Sequence, residues 1–141
     1  MAKQEDAKLL LKLYDLRRET VMRQARTWFG RDFHPTSAES VMDTLKSEQS
    51  AYFRMVTSYW EMAATLVAHG AIDADLFNEA NGEHIFVYVK MEPYLKELRT
   101  QYGNPRMMAN LEKVVLAMPN AEATLKSFRE RIAAVASAAR R

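Results

Sequence analysis

Apolar residues recur at three- and four-residue steps along almost the whole of this chain, and the few breakers stand between the stretches that carry them. That spacing is the mark of amphipathic helices. From Gln4 to Phe29, Leu10, Leu13, Tyr14, Val21, Ala25 and Trp28 make one apolar stripe. Lys8, Lys12, Asp15, Glu19, Arg23 and Arg26 lie opposite it, and Glu19–Arg23 has the favourable i,i+4 order of a solvated face. Gly30 is expected to end this long first helix.

Thr36 stands three residues before Glu39, with Pro35 just ahead, which is capping-box spacing. From there no breaker occurs before His69, so a second helix of about 33 residues, roughly 50 Å long, is expected, with a bend near Lys46–Ser50. Gly70 supplies its C-terminal cap. Asp73 then caps a short turn that stops at Asn81-Gly82. The run from Ile85 to Val89 is β-prone and would suit a buried strand. Tyr88, Met91, Leu95, Leu98 and Tyr102 nevertheless continue one face, which predicts a helix kinked near Pro93, where a backbone donor is missing. Gly103 ends it. Asn104-Pro105 cap and open the next helix, with Met107, Leu111, Val114 and Met118 on one side. After Pro119-Asn120 the last helix carries Leu125, Phe128, Ile132, Val135 and Ala139, with a tail expected to fray from about residue 137. The expected fold is all-α: an antiparallel bundle of about five main helices, the first two long, in a single domain over residues 1–141.

Composition narrows the function classes. The chain has no cysteine, which excludes disulfides, thiolate nucleophiles and cysteine-held metals. No run approaches the ~20 apolar residues that cross a bilayer, and the leucines near the N-terminus lack the remaining parts of a signal peptide. The expectation is a cytoplasmic protein of bacterial type with no membrane partner. Charge is segregated: residues 1–31 carry eight Lys/Arg against four Asp/Glu, residues 32–92 three against ten, and residues 93–141 nine against four. The basic ends are expected to pack beside the acidic middle and neutralise it. The other reading is that they meet a polyanion.

The stretch SYWEMAATLVAHGAID crowds polar groups together. On a helical wheel Trp60 shares a face with Phe53, Val56, Ala64 and Val67, and Tyr59 widens it, so both read as core. Glu61 projects to one side, at a boundary, and His69 sits where a cation complements the helix C-terminus. Arg17 lies inside the first apolar stripe and needs a partner, for which Glu61, Glu83 and Glu92 are candidates. His84 lies one turn before Tyr88 on an apolar face, where burial favours the neutral ring. Neither Glu-x-x-His nor His-x-x-x-His occurs, and Asp73-Ala-Asp75 begins like a calcium loop but has Phe77 at the next ligand position. There is no glycine-rich phosphate loop. No metal and no cofactor are expected.

The segments LLLKLYDLRRETVMRQARTWF, SYWEMAATLVAHGAIDADLF and GNPRMMANLEKVV resemble small helical bacterial proteins of unknown function. The Tyr-Trp-Glu…Gly-x-Ile-Asp segment is also similar to a bacterial domain family of unknown function. Membrane-tethered proteins of that kind carry N-terminal transmembrane helices, and this chain departs from them in having none. The resemblance implies a helical fold and supplies no activity, partner or functional residue.

Three readings of function follow. The preferred one is a non-enzymatic helical bundle acting through protein–protein contacts, as a homodimer. Phe86 and Val89 point away from the Tyr88–Leu95 face and are the expected interface. The alternative is a small-molecule-binding or enzymatic bundle in which Arg17, Glu61 and His84 converge on a pocket lined by Tyr59, Trp60 and Tyr88. The third is nucleic-acid binding through Arg17, Arg18, Arg23, Arg26 and Arg31 with Arg129, Arg131, Arg140 and Arg141, which the interleaved acidic residues disfavour.

Overall fold

The computed structural model describes residues 2–140, which form eight helices; among the described residues there is no strand. The all-α expectation holds and the count of five does not, because both long helices are broken and the short Asp73-capped turn is a helix of its own. The first divides into α1 (Gln4–Arg17) and α2 (Thr20–Arg31). Glu19 is the reason. Instead of pairing with Arg23 on a continuous face, its carboxylate turns back and accepts from the N–H groups of Val21 (3.0 Å) and Met22 (2.9 Å), capping α2. A carboxylate at a helix N-terminus satisfies orphan donors and opposes the positive end of the dipole. Those two backbone bonds hold Glu19 below the usual carboxylate range. Gly30 lies inside α2, which runs one residue further and is closed at Asp32.

The second expected helix divides into α3 (Ala38–Leu45) and α4 (Ser50–Ala68). Ser37 rather than Thr36 caps α3, in a reciprocal box with Ser40. The break falls where the bend was expected: the Ser47 hydroxyl donates to the Thr44 carbonyl and accepts from the Gln49 N–H, so a side chain replaces the backbone ladder. At the end of α4, Gly70 (φ +80°) closes the helix as expected. The Ala71 N–H reaches the Leu66 carbonyl and the Gly70 N–H that of Val67, the paired bonds of a Schellman motif.

Asp73 caps α5 (Ala74–Ala80), and α6 (Glu83–Gln101) includes the β-prone stretch and has Pro93 inside it. α7 (Ala109–Leu116) starts four residues later than Asn104-Pro105 suggests. Asn104 instead makes a turn by accepting from the Arg106 N–H, and Met108 enters α7 with φ +54°. α8 (Ala121–Ala139) extends past residue 137.

α4 and α6 hold the centre. Trp60, Tyr88, Phe29, Phe77, Ile72, Met91 and Leu98 are among the largest fully buried side chains. α4 packs against α2 and α7, while α8 lies along α6. α1 is attached differently, since only Asp6 and Leu13 of it are buried. Polar ties fasten it: the Tyr59 hydroxyl donates to the Leu13 carbonyl, Asp6 accepts from the Asp73 N–H (2.8 Å), and Arg26 donates to the Arg17 carbonyl (3.2 Å).

Candidate functional site

The opening turn of α6 delivers Glu83 to the face of α4 that carries Trp60. The indole Nε1 donates to Glu83 Oε2 at 2.9 Å, and Arg26 Nε donates to the same carboxylate at 2.9 Å. Glu83 therefore joins α2, α4 and α6 at one point. Arg17 takes none of its three expected carboxylate partners. Its guanidinium lies 5.0 Å from the Tyr14 ring centroid and 5.7 Å from that of Trp60, where an aromatic face attracts a cation. Tyr59 stands edge-on to Trp60 at 4.9 Å, and burial pushes its phenol up to about 12, against the pull of Arg17 and Arg26.

His84 is fully buried between Trp60 (5.7 Å) and Phe77 (4.8 Å). Its Nε2 lies 2.8 Å from the Asn78 amide oxygen, so Nε2 carries the hydrogen, and burial lowers its pKa to about 4. The ring stays neutral across the physiological range. Tyr88 sits elsewhere, donating to Glu112 at 3.1 Å and lying 3.4 Å from Glu92. Burial first, then those two carboxylates, raise its pKa. Glu61 points to neither group. Its two oxygens accept from the N–H groups of Asn110 (3.2 Å) and Leu111 (2.9 Å). It thereby caps α7 from another helix, in place of Met108, whose side chain cannot.

The six residues expected to converge thus separate. Arg17, Tyr59, Trp60 and His84 share one aromatic cluster, while Glu61 and Tyr88 belong to other junctions. Each polar atom that makes these contacts is engaged inside the fold. Among the described residues no three His, Asp or Glu side chains gather as a metal set.

Lys90 is the residue that the sequence reading passed over. It is only 4% exposed, and its ammonium donates to the carbonyls of Phe29 (2.7 Å) and Phe33 (2.8 Å), at the C-terminal end of α2. Three rings surround it, Phe86 the nearest at 4.8 Å. Burial lowers its pKa to about 8. The one signal was a lone cation inside the apolar run from Ile85 to Met91.

Phe86 and Val89, the expected subunit interface, lie against α8. Val89 is buried within the chain and Phe86 is half-buried against the same helix, so this second face of α6 already has a cover. Phe86 lines a cavity of about 320 Å³ with Phe128 and Arg131, and Val89 one of about 200 Å³ with Lys90 and Ile132. A wider groove of about 600 Å³ runs along α2 past Arg23, Trp28 and Tyr52. None of the six residues expected to converge lines any of the three.

Several of the arginines nominated for nucleic acid are held by carboxylates. Arg26 binds Glu83, Arg31 binds Asp32 at 3.0 Å and Arg129 binds Glu92 at 2.7 Å. In the first and third, a basic end meets the acidic middle. Arg141 lies outside the described residues. Among the described residues no helix is long and apolar enough to cross a membrane.

Residues 3–118 match the family described as a domain of unknown function, DUF4760, and the chain belongs to that family. The matched span covers α1 to α7 and ends before α8. No curated protein and no solved structure matches the chain.

Proposed function

We propose that this DUF4760 domain is a non-enzymatic helical bundle that acts through protein–protein contacts and pairs with a second copy of itself through α1. The observation that carries this reading is the exposure of α1. Leu11 is 66% exposed, Tyr14 49%, Leu16 45% and Leu9 37%, on a helix with one buried leucine. On the helical wheel Leu11 and Tyr14 fall on one flank and Leu9 and Leu16 on the other, so the exposed apolar groups border a charged outer face on both sides.

The order of charges favours a second copy as the occupant. In an antiparallel pairing with the two-fold axis between Leu11 and Lys12, Lys8 of each copy meets Asp15 of the other, and Glu5 meets Arg18. A two-fold interface requires such self-complementarity, because residue i meets j and j meets i. The helix spans 14 residues, roughly 21 Å, which gives a contact at the small end of specific interfaces. The pairing is therefore expected to be reversible, in the micromolar range. It places the interface on α1 instead of on Phe86 and Val89.

Sedimentation velocity across tens to hundreds of micromolar tests the reading. Wild type should dimerise, Lys8→Glu and Asp15→Lys should each shift the equilibrium toward monomer, and the double variant should recover dimer by restoring opposite charges. A wild-type monomer throughout, or a double variant no better than the singles, would overturn it.

A further inference from the structure

The face of α6 that α8 covers is not filled. Two cavities lie along the seam between them, about 320 Å³ beside Phe86 and about 200 Å³ beside Val89 and Lys90. The larger falls at the lower end of the range of small-molecule sites. Their walls are apolar: Phe29, Val56 and Phe128 in the larger, Pro93, Ile132 and Ala136 in the smaller. Ala133 and Ala136 bring only methyl groups from α8, which is why the smaller cavity stays open.

Charge around this seam is one-sided. Arg26 and Arg131 border the larger cavity; Lys90, Arg129 and Arg140 border the smaller, together with His34. A single carboxylate, Glu83, lines either of them, and Arg26 and the Trp60 indole already engage it. Glu92 engages Arg129. Among the described residues no carboxylate pairs with Arg131; its guanidinium lies 4.1 Å from the Phe128 ring, at the edge of the apolar wall. Arg140 closes the other end of the seam, at the C-cap of α8.

An apolar slot with a cationic border selects a molecule with the converse distribution. We propose that the seam between α6 and α8 binds an amphipathic anion, a straight-chain carboxylate of roughly ten carbons, whose chain lies on the Phe86–Val89 face and whose head meets Arg131 or Arg140. This site is independent of the α1 pairing, and it lies far in sequence from the residues that pairing uses. Its roof, α8, follows the span matched to the family, so the slot is assembled by this chain's own C-terminal helix on the family's helices.

Decanoate is the probe, with native mass spectrometry for stoichiometry and isothermal titration for affinity, on the full chain. One decanoate per chain is expected. Ala136→Leu, which fills the smaller cavity, should weaken binding by tenfold or more. Arg131→Glu changes only an exposed side chain and should weaken it several-fold, while Arg106→Glu, the same charge change on an exposed loop away from the seam, should leave it unaltered. Circular dichroism of each variant separates lost binding from lost fold. Absence of decanoate binding to folded wild type overturns the proposal, as does equal weakening by Arg106→Glu. So does binding to phosphatidylglycerol vesicles without binding of soluble decanoate, which would place the chemistry on a lipid surface instead of in the slot.

Discussion

Replacing Lys90 with methionine removes a buried charge while keeping the length of the side chain, and pH should show what that charge does to stability. Burial lowers the amine from 10.5 to about 8. Below pH 8 it is protonated in both the folded and the unfolded chain, and the folded chain carries the full cost of burying the ammonium. Between about pH 8 and 10.5 the folded chain releases the proton while the unfolded chain keeps it. Stability therefore rises with pH across that window, because the unfolded state binds more protons. At 1.36 kcal/mol per pKa unit the gain reaches about 3 kcal/mol. Urea unfolding of wild type and Lys90→Met at several pH values isolates this contribution, since every other titrating group is common to both chains. The difference between them should move in favour of wild type by up to about 3 kcal/mol from pH 7 to 10.5. A difference that stays flat would refute the reasoning. It would mean that the Phe29 and Phe33 carbonyls and the neighbouring rings, which favour the charged form, cancel the cost of desolvation.

His84 gives the acid-side counterpart. Its pKa falls from 6.5 to about 4, so the neutral ring stabilises the fold fully above pH 6.5, and that contribution is lost as pH drops toward 4. Measured against His84→Phe, wild type should lose about 3 kcal/mol over the interval, and a constant difference would show that the ring is more accessible than its burial implies. Glu61→Ala leaves two N–H groups of α7 uncapped and should cost about 2 kcal/mol, or roughly 6 °C in Tm. Glu61→Gln keeps one acceptor and should cost about half as much. Differential scanning calorimetry decides, and a Glu61→Ala protein as stable as wild type would remove Glu61 from the role of cap.

What the sequence made legible was periodic or local. The helical faces of Trp60, Leu95 and Leu111 follow from three- and four-residue spacing, and Gly70 and Gly103 end their helices because both take positive φ. The break at Glu19 was not legible, since Glu19–Arg23 is as good a helical pair as any. Only the competing bonds to Val21 and Met22 show that the carboxylate stabilises a start more than it stabilises a continuation. The aromatic part of the expected pocket did gather, with Arg17 over Trp60 and His84 beside it. The pocket itself did not form, because Glu61 and Tyr88 were claimed by α7.

The undercounted helices and the misjudged site have one cause. Each helix leaves about four N–H and four carbonyl groups unmatched at its ends, so eight short helices have many more such ends to satisfy than five long ones. Side chains from other helices fill them here. Glu61 of α4 takes the start of α7, Lys90 of α6 the end of α2, and Arg26 of α2 the end of α1. Arg99 of α6 reaches the Met107 carbonyl just ahead of α7, and Tyr94 reaches that of Pro35 ahead of α3. Read on continuous helices, the half-buried Glu61 has no backbone left to serve and looks like part of a site. Read on eight, it caps α7, as Lys90 and Arg26 serve the ends of α2 and α1. Surface left without an internal use includes the outer side of α1, the groove along α2, and the seam that α8 leaves over Phe86 and Val89.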